Sequence, residues 1–131
     1  MNTVSVLIIV DVEGALASND LGSNVYLVDT NKYVGSGSEG QEELRTACQD
    51  TQAISWNVVP VAPTTDVDIV QFTGQMVDDK ICVPQQYTMP GGTYWEATVE
   101  AQGATGQQQY SVALTMDGKE MTFDPFLVIG T

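Results

Sequence analysis

Apolar side chains in this chain recur at every second position over short runs, and that spacing dictates β-strands. In "TYWEATVEA", Trp95, Ala97 and Val99 share one face, while Tyr94, Glu96, Thr98 and Glu100 share the other. In "QYSVALTM", Tyr110, Val112, Leu114 and Met116 fall together in the same way. Such a strand has one wet face and one that needs a second layer to cover it. The runs are punctuated by "QGATGQQ", "MDGKE" and "PVAPTTD". Asp117-Gly118 suits a two-residue hairpin turn, because both positions tolerate positive φ. Residues 93–129 therefore read as a three-strand antiparallel meander. "NVYLVD", "QAISWNVVPV" and "VDIVQFTG" add strands, the last two pairing as a hairpin through "PVAPTTD". Roughly seven to nine short strands with such turns predict one all-β domain over residues 1–131, an antiparallel β-sandwich of jelly-roll or immunoglobulin-like type.

The N-terminal stretch "MNTVSVLIIVDVEGALAS" imitates a secretory signal, but no Lys or Arg precedes its apolar run and Asp11 and Glu13 follow directly. A signal needs a positive first region. Residues 3–12 instead predict a buried, central strand, and the expected location is the cytoplasm, without a signal peptide. No apolar run approaches the roughly 18 residues of a membrane span. "VGSGSEGQEELRTACQD" reads as a loop with room for one helical turn around "QEELRTA". At the other end, "TFDPFLVIGT" places Asp124 and Pro125 inside an apolar run. Proline cannot donate to a ladder, so the pair predicts an edge or a bulge. Asp124 would then accept hydrogen bonds from the backbone N–H groups that the irregularity frees.

Seventeen acids against four bases give a net charge of −13. That field disfavours nucleic acid and anionic membranes and suits cations or neutral ligands. The chain has no histidine, which removes Ser-His-Asp and Cys-His catalysis and the ordinary zinc sites. Neither glycine-rich nucleotide-binding motif is present. Glu96 and Glu100 share a strand face about 13 Å apart, too far for a retaining glycosidase pair. The expectation is a protein with no catalytic residues, not an enzyme. Cys48 and Cys82 are expected as reduced thiols; a disulfide is the alternative, since pairing through "PVAPTTD" would bring both to the same end of the sandwich.

No cofactor is required, and the one ion the acids could take is calcium. "DTNKYVGSGSEG" starts like a calcium loop with Asp29 and Asn31, then fails at Tyr33, Val34 and Gly40. Asp66/Asp68 and Asp78/Asp79 are other oxygen-rich turns, and Glu39, Glu42 and Glu43 enrich one more loop. Asp78 and Asp79 are the candidate ligand-binding pair, for calcium or for the hydroxyls of a sugar, and Tyr87 nearby offers a stacking face. Trp56 and Trp95 occupy apolar phases and read as core; Tyr94 points the other way.

The order of "VLIIVDVE", "VYLVD", "DTQAISWNVVPV", "VDIVQFTG", "YWEATV", "YSVALTMDGKE" and "FDPFLVI" resembles the AidA/PixA family of bacterial inclusion body proteins. Its signature positions here are Trp56, Tyr94, Trp95, Phe123, Asp124, Pro125 and Phe126. The resemblance spans essentially the whole chain. It implies a compact β-sandwich made in bacteria, self-assembling, sometimes stored as cytoplasmic inclusions, and made under quorum control or in association with host colonisation. Five methionines make the chain less methionine-rich than some inclusion proteins. The alternative is a lectin-like carbohydrate-binding module, with calcium assisting. The expected partners are further copies of itself, as a homo-oligomer of dimer type, or a carbohydrate, with no nucleic acid and no membrane insertion.

Charge makes self-association depend on pH. Repulsion at −13 opposes close packing and weakens toward the pI near 4.1. Light scattering should show a small oligomer, a dimer, at pH 7 and larger assemblies as pH approaches about 4–5 or as salt rises. A scattering mass that stays monomeric across that range contradicts the expectation.

Overall fold

The computed structural model describes residues 2–31, 36–37, 40–41 and 43–130. Chain order is β1 (Val4–Val10), α1 (Val12–Ser18), a 3-10 turn (Gly22–Asn24), β2 (Val25–Asp29), β3 (Arg45–Gln49), β4 (Ala53–Pro60), β5 (Asp68–Thr73) and α2 (Gln75–Asp78). Then follow β6 (Gln85–Met89), β7 (Gly92–Thr98), β8 (Gly106–Gln109), β9 (Ser111–Met116), β10 (Lys119–Phe123) and β11 (Phe126–Gly130). The chain is all-β and sandwich-like, as the alternation predicts. Residues 45–49 form a strand rather than a helical turn; Glu39 and Glu42 lie outside the described residues, as do Tyr33 and Val34.

One layer is a five-stranded sheet in the order β2-β1-β4-β7-β6. Val4, Val6, Ile8 and Val10 point inward from β1 and are fully buried, so this strand is interior to the sheet as predicted. It runs parallel to β4, and β11 runs parallel to β3. The sandwich is therefore mixed rather than wholly antiparallel. A parallel neighbour requires a crossover, and α1 turns the chain away after β1. Asp11 caps that helix, its carboxylate accepting from Gly14 N–H at 3.1 Å. The Asp that ends the hydrophobic run is thus the helix signal that periodicity over "VEGALAS" was too short to give.

Two expected pairings fail. β4 and β5 lie in different sheets, because β4 already has β1 on one side and β7 on the other. The 93–129 meander also loses its first strand, since β7 joins β4 with Trp95 opposite Trp56. What remains is one long hairpin. Asp117 (φ 50) and Gly118 (φ 75) make its tight turn, so the Asp-Gly expectation holds.

That hairpin explains Asp124. Phe123 faces Val112 in the β9–β10 ladder, and Phe126 faces Gln109 in the β8–β11 ladder. The register is unchanged across the break, so there is no bulge. The ladder lapses at Asp124-Pro125, where proline has no N–H to give. Tyr110 N–H still donates to the Pro125 carbonyl at 3.1 Å. Asp124 is exposed and accepts from the Ser111 hydroxyl at 2.6 Å, across the strands, instead of from backbone N–H groups. Beyond the lapse the hairpin changes neighbours: β9 takes β5 in one three-stranded sheet, and β11 takes β3 in the other.

The core lies between these layers. Trp56 packs on Phe72 and Tyr110 with ring centroids 4.9 and 5.9 Å away, and Phe72 reaches Trp95 at 5.3 Å. Gly74 passes directly under this cluster with φ 101; a Cβ there would sit 3.0 Å from the Tyr110 backbone.

A carboxylate that binds two backbone N–H groups of a distant loop is Asp50, in the turn between β3 and β4. It accepts from Ala101 and Gly103, each at 2.8 Å, and ties the β7–β8 loop to the sandwich. The Gly103 and Ala101 N–H bonds hold its pKa below the ordinary value of 3.8. A lowered folded-state pKa contributes stability above the unfolded value and loses it as pH falls through the folded one. Asp50→Ala should lower the melting temperature by several degrees at pH 7. The gap from wild type should close as pH drops well below 3.8, as thermal melts followed by circular dichroism would show.

Candidate functional site

β6 and β7 form a hairpin closed by Pro90-Gly91, where Gly91 supplies φ 92. All five residues of β6 are exposed, on both faces, so the hairpin projects past the packed sandwich. Tyr87 faces Tyr94 in register, and their rings stack at 5.5 Å with planes 23° apart. Val83, Tyr87 and Met89 expose large apolar surface along this arm. Farther across the same outer face, Tyr26, Ile9 and Val59 stand side by side on β2, β1 and β4.

Two open hollows flank these features. One, of about 360 Å³, is lined by Tyr87, Gln85, Glu96, Thr98 and Glu100 with Val83 beside them. The other, of about 570 Å³, lies between α1, the β4–β5 loop and the β9–β10 turn. Val12 and Leu16 line it on the apolar side, and Glu13, Asp66, Asp68 and Asp117 bring carboxylates. Three segments far apart in sequence meet there, which is why only its Asp66/Asp68 corner could be noticed from the chain alone.

Asp78 ends α2 and Asp79 caps it; both are exposed, and neither lines the Tyr87 hollow. The structure therefore separates the acid pair from the aromatic face suggested for the same ligand. Asp29 accepts from Asn31 N–H through Oδ1 at 2.8 Å, leaving its buried Oδ2 without a partner among the described residues, and the Asn31 amide donates to the Ala47 carbonyl at 2.7 Å. Among the described residues, no group of three or more Asp, Glu or Cys side chains is gathered to hold a metal ion.

Of the signature aromatics, Trp56 and Phe123 are buried in the core, Trp95 packs against it, and Tyr94 lies on the outer face beside Tyr87. Trp56 is fully buried and its indole N–H donates to the Tyr110 hydroxyl at 3.2 Å. Burial pushes the Tyr110 phenol well above its ordinary 10. Cys48 and Cys82 are free and buried. Loss of water around each thiol pushes it up to about 12, helped by Asp29 beside Cys48 and by Cys48 beside Cys82. A thiol held protonated is a poor nucleophile.

Fold and surface together define a mixed β-sandwich whose outermost strand, β6, is exposed on both faces and carries no charge. The chain belongs to the family described as a domain of unknown function, DUF8788, whose model matches residues 2–122. Its fold is similar to the crystal structure of the inclusion body protein PixA from Burkholderia cenocepacia J2315, with a TM-score of 0.73. The match covers 98% of this chain and 96% of that one at 11% identity. At that identity the likeness is one of fold, and there the resemblance seen in the sequence holds. No curated protein matches by sequence.

The thiols give a direct check. Native protein should resist a small alkylating reagent at pH 8 and take up two adducts once denatured, as counted by intact mass. Rapid labelling of the folded protein would contradict the burial.

Proposed function

We propose that this chain is a non-enzymatic inclusion-body-type protein whose function is carried by self-association. The observation that carries the reading is the full-length likeness to a protein titled an inclusion body protein, with 98% of this chain superposing. Two physical features support it. The net charge of −13 opposes assemblies larger than a small oligomer at neutral pH and provides a pH-dependent route to higher assembly. The edge strand β6 carries no charged residue and offers a line along which copies can meet. Quorum control and a colonisation role would govern when the chain is made; a cytoplasmic site of accumulation fits the same reading. No helix among the described residues is long and apolar enough to cross a membrane.

A second reading is favoured by one observation. The hollow beside Tyr87 combines an aromatic side chain with Gln85, Glu96 and Thr98, groups that match sugar hydroxyls. A lectin built there would not use Asp78 and Asp79, and calcium at that pair would be a separate site.

Electron microscopy of bacteria producing the protein tests the first reading. Dense bodies should form in which this chain is the main component, and they should dissolve on washing at pH above 7 and low salt. Protein that stays dispersed at high expression overturns it. A glycan array on the dispersed protein, positive for wild type and lost in Tyr87→Ala, would favour the lectin.

A further inference from the structure

We propose that two copies of this chain join edge to edge, β6 of one pairing antiparallel with β6 of the other about a two-fold axis, so that their five-stranded sheets become one continuous sheet. The proposal rests on the self-association reading and names its surface.

An edge strand exposes unpaired N–H and C=O groups, and proteins blunt such edges with charges, bulges, short length or a covering segment. Three sheets have six edges among the described residues, and five are blunted. On β2, the Leu27 carbonyl is taken by Gly40 N–H. On β3, Gly37 exchanges both backbone bonds with Arg45, while Ala47 is bonded by Ser36 and Asn31 side chains. β10 carries Lys119 and Glu120. β5 carries Asp68 and a register shift between Ile69 and Gln71. β8 has only four residues, and Gln75 occupies its Gln109 N–H.

β6 has none of these devices. Its residues, Gln-Gln-Tyr-Thr-Met, carry no charge in a chain of net −13, its pairing with β7 runs without a shift, and no described segment covers it. A second copy approaching another edge meets charges, a partly filled ladder or, at β8, a four-residue strand with one N–H already taken; here it meets none of these. The nearest acid on the same face, Glu96, sits one strand back opposite Gln85. Two strand spacings then put it about 10 Å from the partner strand, beyond the ~8 Å screening length at physiological salt.

Register follows from the hairpin. A two-residue turn makes Met89 and Gly92 a hydrogen-bonded pair, and alternation then turns the peptide groups of Gln86 and Thr88 outward. Pro84 and Pro90 bound the strand, because neither has an N–H to extend the ladder. Full overlap centres the two-fold on Tyr87. Gln86 of each copy exchanges both backbone bonds with Thr88 of the other, and Tyr87 faces its counterpart. Tyr94, Tyr87 and their two symmetry mates line up as one aromatic row. Because both faces of β6 are exposed, the sandwich presents no wall against the incoming hairpin.

Sedimentation at pH 7 over a concentration series tests this on the full chain. Wild type should be dimeric. Thr88→Pro removes an outward N–H, so its dimer dissociation constant should rise at least about tenfold while the near-ultraviolet circular dichroism stays native. Tyr87→Cys should form a disulfide-linked dimer on mild oxidation, since residues facing across a non-bonded antiparallel pair lie about 4.5 Å apart at Cα. The native cysteines are buried and should not compete. A Thr88→Pro protein that remains dimeric, or a Tyr87→Cys protein that does not cross-link, overturns the β6 interface and leaves self-association standing. A wild type that is monomeric at every concentration overturns both.

Discussion

The hydrogen bond from Trp56 to Tyr110, set inside an aromatic cluster, ties the two layers together. Trp56 stands on β4 in the five-stranded sheet, and Tyr110 stands at the lapse between β8 and β9 in the opposite layer. Phe72 from β5 and Trp95 from β7 close around them. Aromatic pairs at such distances add about 0.5–1.5 kcal/mol each beyond their buried area. The indole and phenol are both buried polar groups, and each satisfies the other, so neither is left to oppose folding. Gly74 is needed because the chain must pass close beneath Tyr110, where a side chain would collide.

From that centre the arrangement of edges follows. The long terminal hairpin bends over the cluster where Pro125 interrupts its ladder, and the bend lets one hairpin serve two small sheets. Asp124 and Ser111 bridge the strands where backbone bonding lapses. Asp50 anchors the loop that releases β7 toward β4 and away from the terminal hairpin. With β7 placed there, β6 becomes the outermost strand of the large sheet. The surface proposed for self-association is thus a consequence of how the core is closed.

Chemistry and fold give the same picture. Buried thiols that stay protonated, a buried phenol and carboxylates that end in local turns are groups used for structure. The acid-lined hollow beside α1 is open and carries no gathered metal ligands among the described residues. The exposed, uncharged edge of β6 is the feature on which the proposed self-association rests.

Sequence alone determined the local elements. Alternation marked β7 and β9, because one-sided burial writes its period into a strand, and short apolar runs between turn residues marked β1, β2, β4 and β5. Asp117-Gly118 marked its turn because few other residues accept positive φ twice in succession. The order of those strands supported a family resemblance whose fold the structure bears out. Which strand neighbours which was decided only in three dimensions. The parallel β1–β4 and β3–β11 pairs, the move of β7 to β4 and the separation of β4 from β5 all depend on contacts between distant residues, and no local period records a partner. Asp50 and Asp124 show the same limit: both are acids at irregular points, and only the placement of residues 101–103 and of Ser111 decided what each would bind. The open edge of β6 is also tertiary. Its lack of charge is plain in "QQYTM", but that it ends the large sheet with β7 as its one neighbour among the described residues is decided by the tertiary structure.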